Sequence, residues 1–140
     1  MLDLDHFKNF NDQYGHTSGD QILIEISRLI QKEIREIDLA ARYGSEEFLF
    51  LLAGTGMADA IEAAERIWQI TASTEFSCGG KKVTSGITVS LGVSTWDSDS
   101  ISQDILIAKA DTALYRAKTN GRNRVESWIS SMPRSGEDAA

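Results

Sequence analysis

Arg42-Tyr43-Gly44-Ser45-Glu46-Glu47-Phe48 lies between two strand-like runs, Leu39 to Tyr43 and Phe48 to Leu52. That placement predicts a hairpin whose tight turn carries two adjacent carboxylates. Gly44 can supply a positive φ there, and it leaves room for a ligand to approach the main chain. Successive strand residues point to opposite faces, so Glu46 and Glu47 are expected to look in different directions, leaving one free to meet a metal. An acidic surface turn is the alternative reading of this segment alone.

Met1 to Asp20, MLDLDHFKNFNDQYGHTSGD, adds a second acidic strand end. Leu2 and Leu4 alternate with Asp3 and Asp5, the period of a strand with one apolar face and one carboxylate face. Two strands presenting carboxylates at neighbouring ends suit a magnesium site for a nucleotide triphosphate. Such a site needs few protein oxygens, the remaining ligands being water and phosphate.

At 140 residues the chain reads as one domain, long enough to bury about two thirds of its unfolded surface. Its 41% hydrophobic and 25% charged residues are those of an ordinary globular chain. No apolar run reaches the length of a membrane helix, and Met1 opens straight into a strand without a signal peptide, so a cytoplasmic location is expected. The formal net charge of -7 repels polyanions and argues against nucleic-acid binding. A nucleotide can still bind through a metal and a local cationic pocket. Cys78 has no disulfide partner in the chain and reads as a packing or turn residue.

Taken in order, His6 to Tyr14 predicts a helical turn or two, and Thr17 offers an N-cap with Asp20 three residues on. A helix follows from about 18 to 34, with Ile22, Ile26, Leu29 and Ile30 inward. Met57 to Thr74 is a second helix in which Trp68 reads as core. The runs Phe76 to Cys78 and Lys82 to Thr84 straddle the glycine pair Gly79-Gly80 as a hairpin. Ile87 to Ser94 alternates strictly and is the clearest strand. Trp96 to Ser100 reads as a loop, and a third helix runs from about 102 to 118, stopped by Asn120-Gly121. Residues 124–128 can add an edge strand. The domain is expected over 1–129, with 130–140 as a frayed tail. Helices packed over a sheet make this an α+β chain.

Several stretches in order and at matching spacing identify the chain as resembling the GGDEF family of diguanylate cyclases. They are Asp3-Leu4-Asp5-His6-Phe7-Lys8, Asn11-Asp12, Gly15-His16, Gly19-Asp20, the turn from Arg42 to Phe48, Ala110-Asp111, Ala113-Leu114-Tyr115, Ala117-Lys118 and Gly121-Arg122-Asn123. The resemblance implies a central, mostly antiparallel sheet related to the palm of polymerases and to nucleotide cyclases. It implies that two GTP are condensed into cyclic di-GMP and pyrophosphate by a homodimer. The alternative is a catalytically weak module that binds GTP or cyclic di-GMP.

By resemblance, Asp3 and Glu46 hold magnesium or manganese with the backbone carbonyl of Leu4, and Glu46 accepts the proton. Glu47 is the weaker ligand candidate and Asp5 weaker still. Gly44 and Ser45 line the nucleotide approach. Asn11 and Asp20 read guanine, whose N1-H and amine are adjacent donors suited to an acceptor-only carboxylate. N-terminal capping is the structural alternative for Asp20. Lys8, Lys118 and Arg122 match phosphate contacts, with a helix-dipole role open for Lys118. His16 matches a turn residue. Arg35, Asp38 and Arg66 match an inhibitory product site, guanidinium groups being able to stack on guanine and fork to phosphate. A solvated ion pair is the alternative for Arg35 and Asp38.

The chain departs from the family pattern at two places. Ser45 stands where glycine is most frequent, which costs free energy if that position needs a positive φ. The family also precedes this region with a segment resembling Asp-x-Leu-Thr-Gly-Leu-x-Asn-Arg, so the chain reads as truncated at its N-terminus.

Overall fold

The structure, a computed structural model, describes residues 1–83, 86–97 and 102–130. Among the described residues, seven strands and four helices follow in the order β1 (Leu2–Leu4), α1 (Phe7–Tyr14), α2 (His16–Glu33), β2 (Leu39–Arg42), β3 (Glu47–Leu51), α3 (Met57–Ser73), β4 (Ser77–Cys78), β5 (Lys81–Lys82), β6 (Val89–Val93), α4 (Gln103–Thr119) and β7 (Arg124–Ser127). Five strands form one sheet in the order β2-β3-β1-β6-β7, and β4 and β5 make a separate hairpin. Only the β6–β7 pair is parallel in the main sheet. The fold is therefore the α+β arrangement with a mostly antiparallel sheet.

The short β1 is central. Leu2 pairs with Phe48 on one side and Leu91 on the other. Leu2, Leu4, Ile22, Ile26, Ile30, Phe48 and Leu91 share the main core. Met1, Ala110 and Leu114 form a second cluster, with Leu49 and Ile107 packed against it. Helices thus cover the middle of the sheet on both faces. The alternation in β1 and β6 suggested one wet face, and the structure corrects this: Asp3 is 4% exposed and Ser90 fully buried. At Gly92 the α4 backbone comes so close that a Cβ would lie 2.2 Å from the Ala110 carbonyl oxygen and the Leu114 nitrogen. A side chain at that position would push α4 off the sheet.

Helix α2 begins two residues earlier than the apolar spacing predicts. Gly15, at φ 87°, separates it from α1 and occupies the N-cap position, and no side chain caps the helix. Thr17 is therefore inside α2, and the capping role considered for Asp20 is not taken up. The glycine pair is confirmed: Gly79 and Gly80 both have positive φ between β4 and β5, as a type I′ hairpin turn requires. Cys78 is buried there. The expected strand end at Thr84, the loop at Ser98 to Ser100 and the tail from 131 to 140 lie outside the described residues. Among the described residues, no helix is long and apolar enough to cross a membrane.

Candidate active site

The hairpin between β2 and β3 closes with Tyr43 N–H and Gly44 N–H both directed at the Glu47 carbonyl, at 2.8 and 3.3 Å. Arg42 clamps the turn, its Nε donating to the Gly44 carbonyl at 3.2 Å and its Nη2 to the Ser45 carbonyl at 2.7 Å. Neither Gly44 nor Ser45 has a positive φ, so the conformational role expected of Gly44 is not taken up. A Cβ at Gly44 would sit 3.2 Å from Glu47 Oε2, tighter than an unstrained contact. Ser45 carries no left-handed strain, and its Oγ donates to Glu46 Oε2 at 2.5 Å.

β1 brings Asp3 to this turn. Asp3 stands directly across from Glu47 in the β1–β3 pairing, and Leu4 N–H donates to the Glu46 carbonyl at 3.2 Å. Strand parity does not separate the two glutamates, because β3 begins at Glu47 and Glu46 belongs to the turn. Burial pushes the Asp3 carboxyl above the usual carboxylate range. Lys118 opposes that shift, and the charges of Glu46 and Glu47 reinforce it. Lys118, in the last turn of α4, donates its ammonium to Asp3 Oδ2.

Asp5 is a different kind of carboxylate. Its Oδ2 accepts from Thr88 Oγ1 at 2.7 Å and from Asn123 N–H at 3.0 Å, and its Oδ1 accepts from Ser90 Oγ at 2.6 Å. Those bonds take up three of the roughly four lone-pair sites of the carboxylate.

Asn11 lies against Gly19, the residue before Asp20. A Cβ there would fall 1.9 Å from Asn11 Oδ1, which is buried without a hydrogen-bond partner. Buried polar atoms are ordinarily paired, and this oxygen is an exception among the described residues. Asp20 opens into a groove of about 540 Å³ lined also by Leu23, Ile24, Arg42 and Phe48. The groove runs to the base of the signature turn. A larger, apolar groove of about 760 Å³, lined in part by Met1, Leu49 and Ile107, contains none of the sequence-predicted site residues. Lys8 and Arg122 are exposed, on α1 and beyond α4.

Arg35 and Asp38 form a clasp. Arg35 Nε and Nη2 donate to the two Asp38 oxygens at 3.1 and 2.9 Å, and Nη2 also reaches the Ala53 carbonyl at 2.6 Å and Thr55 Oγ1 at 2.9 Å. The Arg35 side chain is 54% exposed while that of Asp38 is 3% exposed. The hydrogen bonds from Arg35 hold the Asp38 carboxyl down at about 2. Arg66 pairs instead with Glu33, at 3.7 Å, near the end of the helix that leads to Arg35.

The donor set fits a magnesium ion that keeps most of its water and phosphate ligands. One buried carboxylate and two neighbouring glutamates attract a cation, while among the described residues no cluster of three or more His, Cys, Asp or Glu makes an all-protein cage. Sequence reasoning left Arg42 without a role, although it both clamps the turn and lines the groove. It stood inside the quoted stretch, but a side chain that bonds backbone carbonyls leaves no spacing signal.

Residues 1–124 match the family model described as diguanylate cyclase, GGDEF domain. Diguanylate cyclase A of Treponema denticola is 42% identical over 134 residues, covering 96% of this chain and 36% of the relative. Among solved structures, the GGDEF domain of PA1120 (YfiN or TpbB) from Pseudomonas aeruginosa superposes with a TM-score of 0.85 at 32% identity, covering 91% of this chain and 79% of that one. The GGDEF domain of DgcB from Caulobacter crescentus, in complex with c-di-GMP, gives a TM-score of 0.81 at 32% identity, covering 90% and 74%. The chain spans about a third of the length of the curated relatives it matches.

Proposed function

Since the chain belongs to the GGDEF family of diguanylate cyclase domains, we propose that it condenses two GTP into cyclic di-GMP and two pyrophosphates, each half of a cytoplasmic homodimer holding one GTP. The observation that supports this most is the meeting of Asp3, Glu46 and Glu47 at one end of the sheet, beside the groove that holds Asp20. In this reading Asp20 accepts from guanine N1-H and its amine, and Asn11 supplies the neighbouring contact. An adenine, which presents an acceptor at N1, is refused.

Asp3, Glu46 and the Leu4 carbonyl would hold magnesium, which neutralises the triphosphate and acidifies the attacking 3′-hydroxyl. That hydroxyl oxygen bonds to the α-phosphorus of the facing GTP, the bond to the β-phosphate oxygen breaks, and pyrophosphate leaves. Glu46 takes the proton. Lys8, Lys118 and Arg122 neutralise phosphate charge. Arg35, Asp38 and Arg66 form a separate site at which the product inhibits.

A second reading, a module that binds GTP or cyclic di-GMP with little turnover, is favoured by one observation. The ion pair between Lys118 and Asp3 engages a phosphate contact and a metal ligand with each other. Incubation of the 140-residue chain with GTP and magnesium, followed by detection of cyclic di-GMP and pyrophosphate, separates the two. Product formation supports the enzyme; no product together with saturable GTP binding supports the module.

A further inference from the structure

Three non-glycine residues among those described have positive φ: His6 at 54°, Arg122 at 64° and Asn123 at 49°. Two of them adjoin one carboxylate, and Arg122 directly precedes one of those two. His6 follows Asp5 directly, while Asn123 donates its backbone N–H to Asp5 Oδ2. Left-handed backbone at such residues persists only where the surroundings over-determine it, and it gathers at functional sites.

The surroundings here are specific. Asp5 is anchored through Oγ1 of Thr88, just before β6, and Oγ of Ser90 in β6, and its own N–H donates to the Thr88 carbonyl at 2.9 Å. From the other side Trp68 of α3 donates its indole N–H to Asn123 Oδ1 at 2.8 Å. Arg122 N–H bonds the Ala117 carbonyl at 2.9 Å, and the Arg122 carbonyl accepts from Arg124 Nε at 3.1 Å. The backbone of Arg122 is therefore held at both ends while its side chain is exposed. Asp5 also sits at the head of the turn that leads to Lys8.

We propose that Asp5 and Trp68 are positioning residues: acting through Asn123, they fix the loop after α4 so that Arg122 is presented, already ordered, to the triphosphate of the bound nucleotide. This rests on the reading of Arg122 as a phosphate contact. A cation on an unheld loop must lose backbone and side-chain freedom when it binds, and that loss subtracts from affinity. A braced loop has lost it during folding.

The test uses the 140-residue chain and 3′-deoxy-GTP, which lacks the attacking hydroxyl and so binds without turnover, against guanosine, which lacks the phosphates. Trp68→Phe removes the indole N–H and keeps the ring's packing. It is expected to weaken 3′-deoxy-GTP binding by roughly threefold to tenfold, the worth of one neutral hydrogen bond, and to leave guanosine binding unchanged. In an Arg122→Ala background the same substitution should have no further effect, because the residue it positions is gone. Equal weakening of both ligands, or an undiminished effect in the Arg122→Ala background, would overturn the proposal. If Trp68→Phe does not fold, Asn123→Gly carries the same test, since glycine takes the left-handed conformation without strain and loses the acceptor that Trp68 bonds. If Arg122→Ala itself leaves 3′-deoxy-GTP binding unchanged, the phosphate reading of Arg122 is what fails, and the positioning role falls with it.

Discussion

Lys118 in the last turn of α4 donates to the buried carboxylate of Asp3 in β1, a contact that joins residues 115 positions apart. The pair fastens α4 to the strand that carries the site. Removing the ammonium leaves Asp3 buried beside Glu46 and Glu47 with no opposing charge from Lys118. Lys118→Met is therefore expected to cost about 1–3 kcal/mol of stability in the absence of nucleotide. Asp3→Asn in the Lys118→Met background should restore part of it, because the stranded charge is then gone. Urea unfolding of the four proteins measures both effects, and an unchanged midpoint in Lys118→Met would show that the contact adds nothing to the fold.

The two glutamates of the signature turn make separable predictions. Glu46 lies in the turn, where its carboxylate accepts from Ser45 Oγ, so Glu46→Gln is expected to keep the fold and to abolish cyclic di-GMP formation. Glu47→Gln should be milder. Glu47 is nevertheless the residue opposite Asp3, and if its substitution proves the more damaging in a turnover assay, the ligand role passes to it.

Gly19 is predicted to control guanine recognition without touching the base. A methyl group there would overlap Asn11 Oδ1 and press on Asn11 Cγ at 2.9 Å and Phe7 Cζ at 3.1 Å. Gly19→Ala must push Asn11 out of place, and crowding of this kind costs about 1–3 kcal/mol. GTP binding should weaken more than any loss of stability explains. A titration showing unchanged GTP affinity would place Asn11 outside the guanine pocket.

What was legible in the sequence depended on range. Periodicity gave α3 and α4 to within a residue or so, because those helices bury one face each, and the two-residue loop at Gly79-Gly80 announced its own hairpin. Periodicity failed where the sheet is covered twice. Asp3 and Ser90 look like solvent-facing alternates, yet α4 lies over them, and nothing local reports a helix placed there by chain folding. The same holds for the site. The resemblance named Asp3, Glu46, Asn11 and Asp20; the structure brings Asp3 near Glu46 and sets Asn11 against Gly19, the residue before Asp20. The partnership of Asp3 with Lys118 and the hub at Asp5 depend on contacts between residues more than 80 positions apart, which no window along the chain contains.

The clasp between Arg35 and Asp38 predicts a pH signature. The folded Asp38 carboxyl is held at about 2, below its ordinary 3.8, chiefly by the side-chain hydrogen bond from Arg35. A depressed carboxyl contributes stability that is present above its unfolded value and lost as pH falls through the folded one. The stability difference between the unmodified chain and Asp38→Asn should therefore be constant above pH 5 and should shrink steadily as pH is lowered toward 2. A difference independent of pH over that range would mean that the clasp does not act through charge.

The clasp also bears on feedback, because Arg35, Asp38 and Arg66 lie outside the proposed catalytic set. If they form a product site, cyclic di-GMP should bind the chain even when Glu46→Gln has disabled turnover, and Arg35→Ala should abolish that binding. The ligand carries two phosphates and two exposed purine faces, which a chain of net charge -7 can hold only where guanidinium groups gather. Arg35 is half exposed although four of its hydrogen bonds run to Asp38, Ala53 and Thr55, and because those bonds lie in the guanidinium plane they do not by themselves block stacking on its faces. That tie also means Arg35→Ala loosens the turn after β3, and loss of binding alone would be ambiguous. Arg66→Ala resolves the ambiguity, since Arg66 pairs with Glu33 and bonds none of the groups in the clasp. It should weaken cyclic di-GMP binding with little effect on thermal stability. Unchanged product binding in Arg66→Ala, with loss only in the destabilised Arg35→Ala, would return the motif to a structural clasp between two turns.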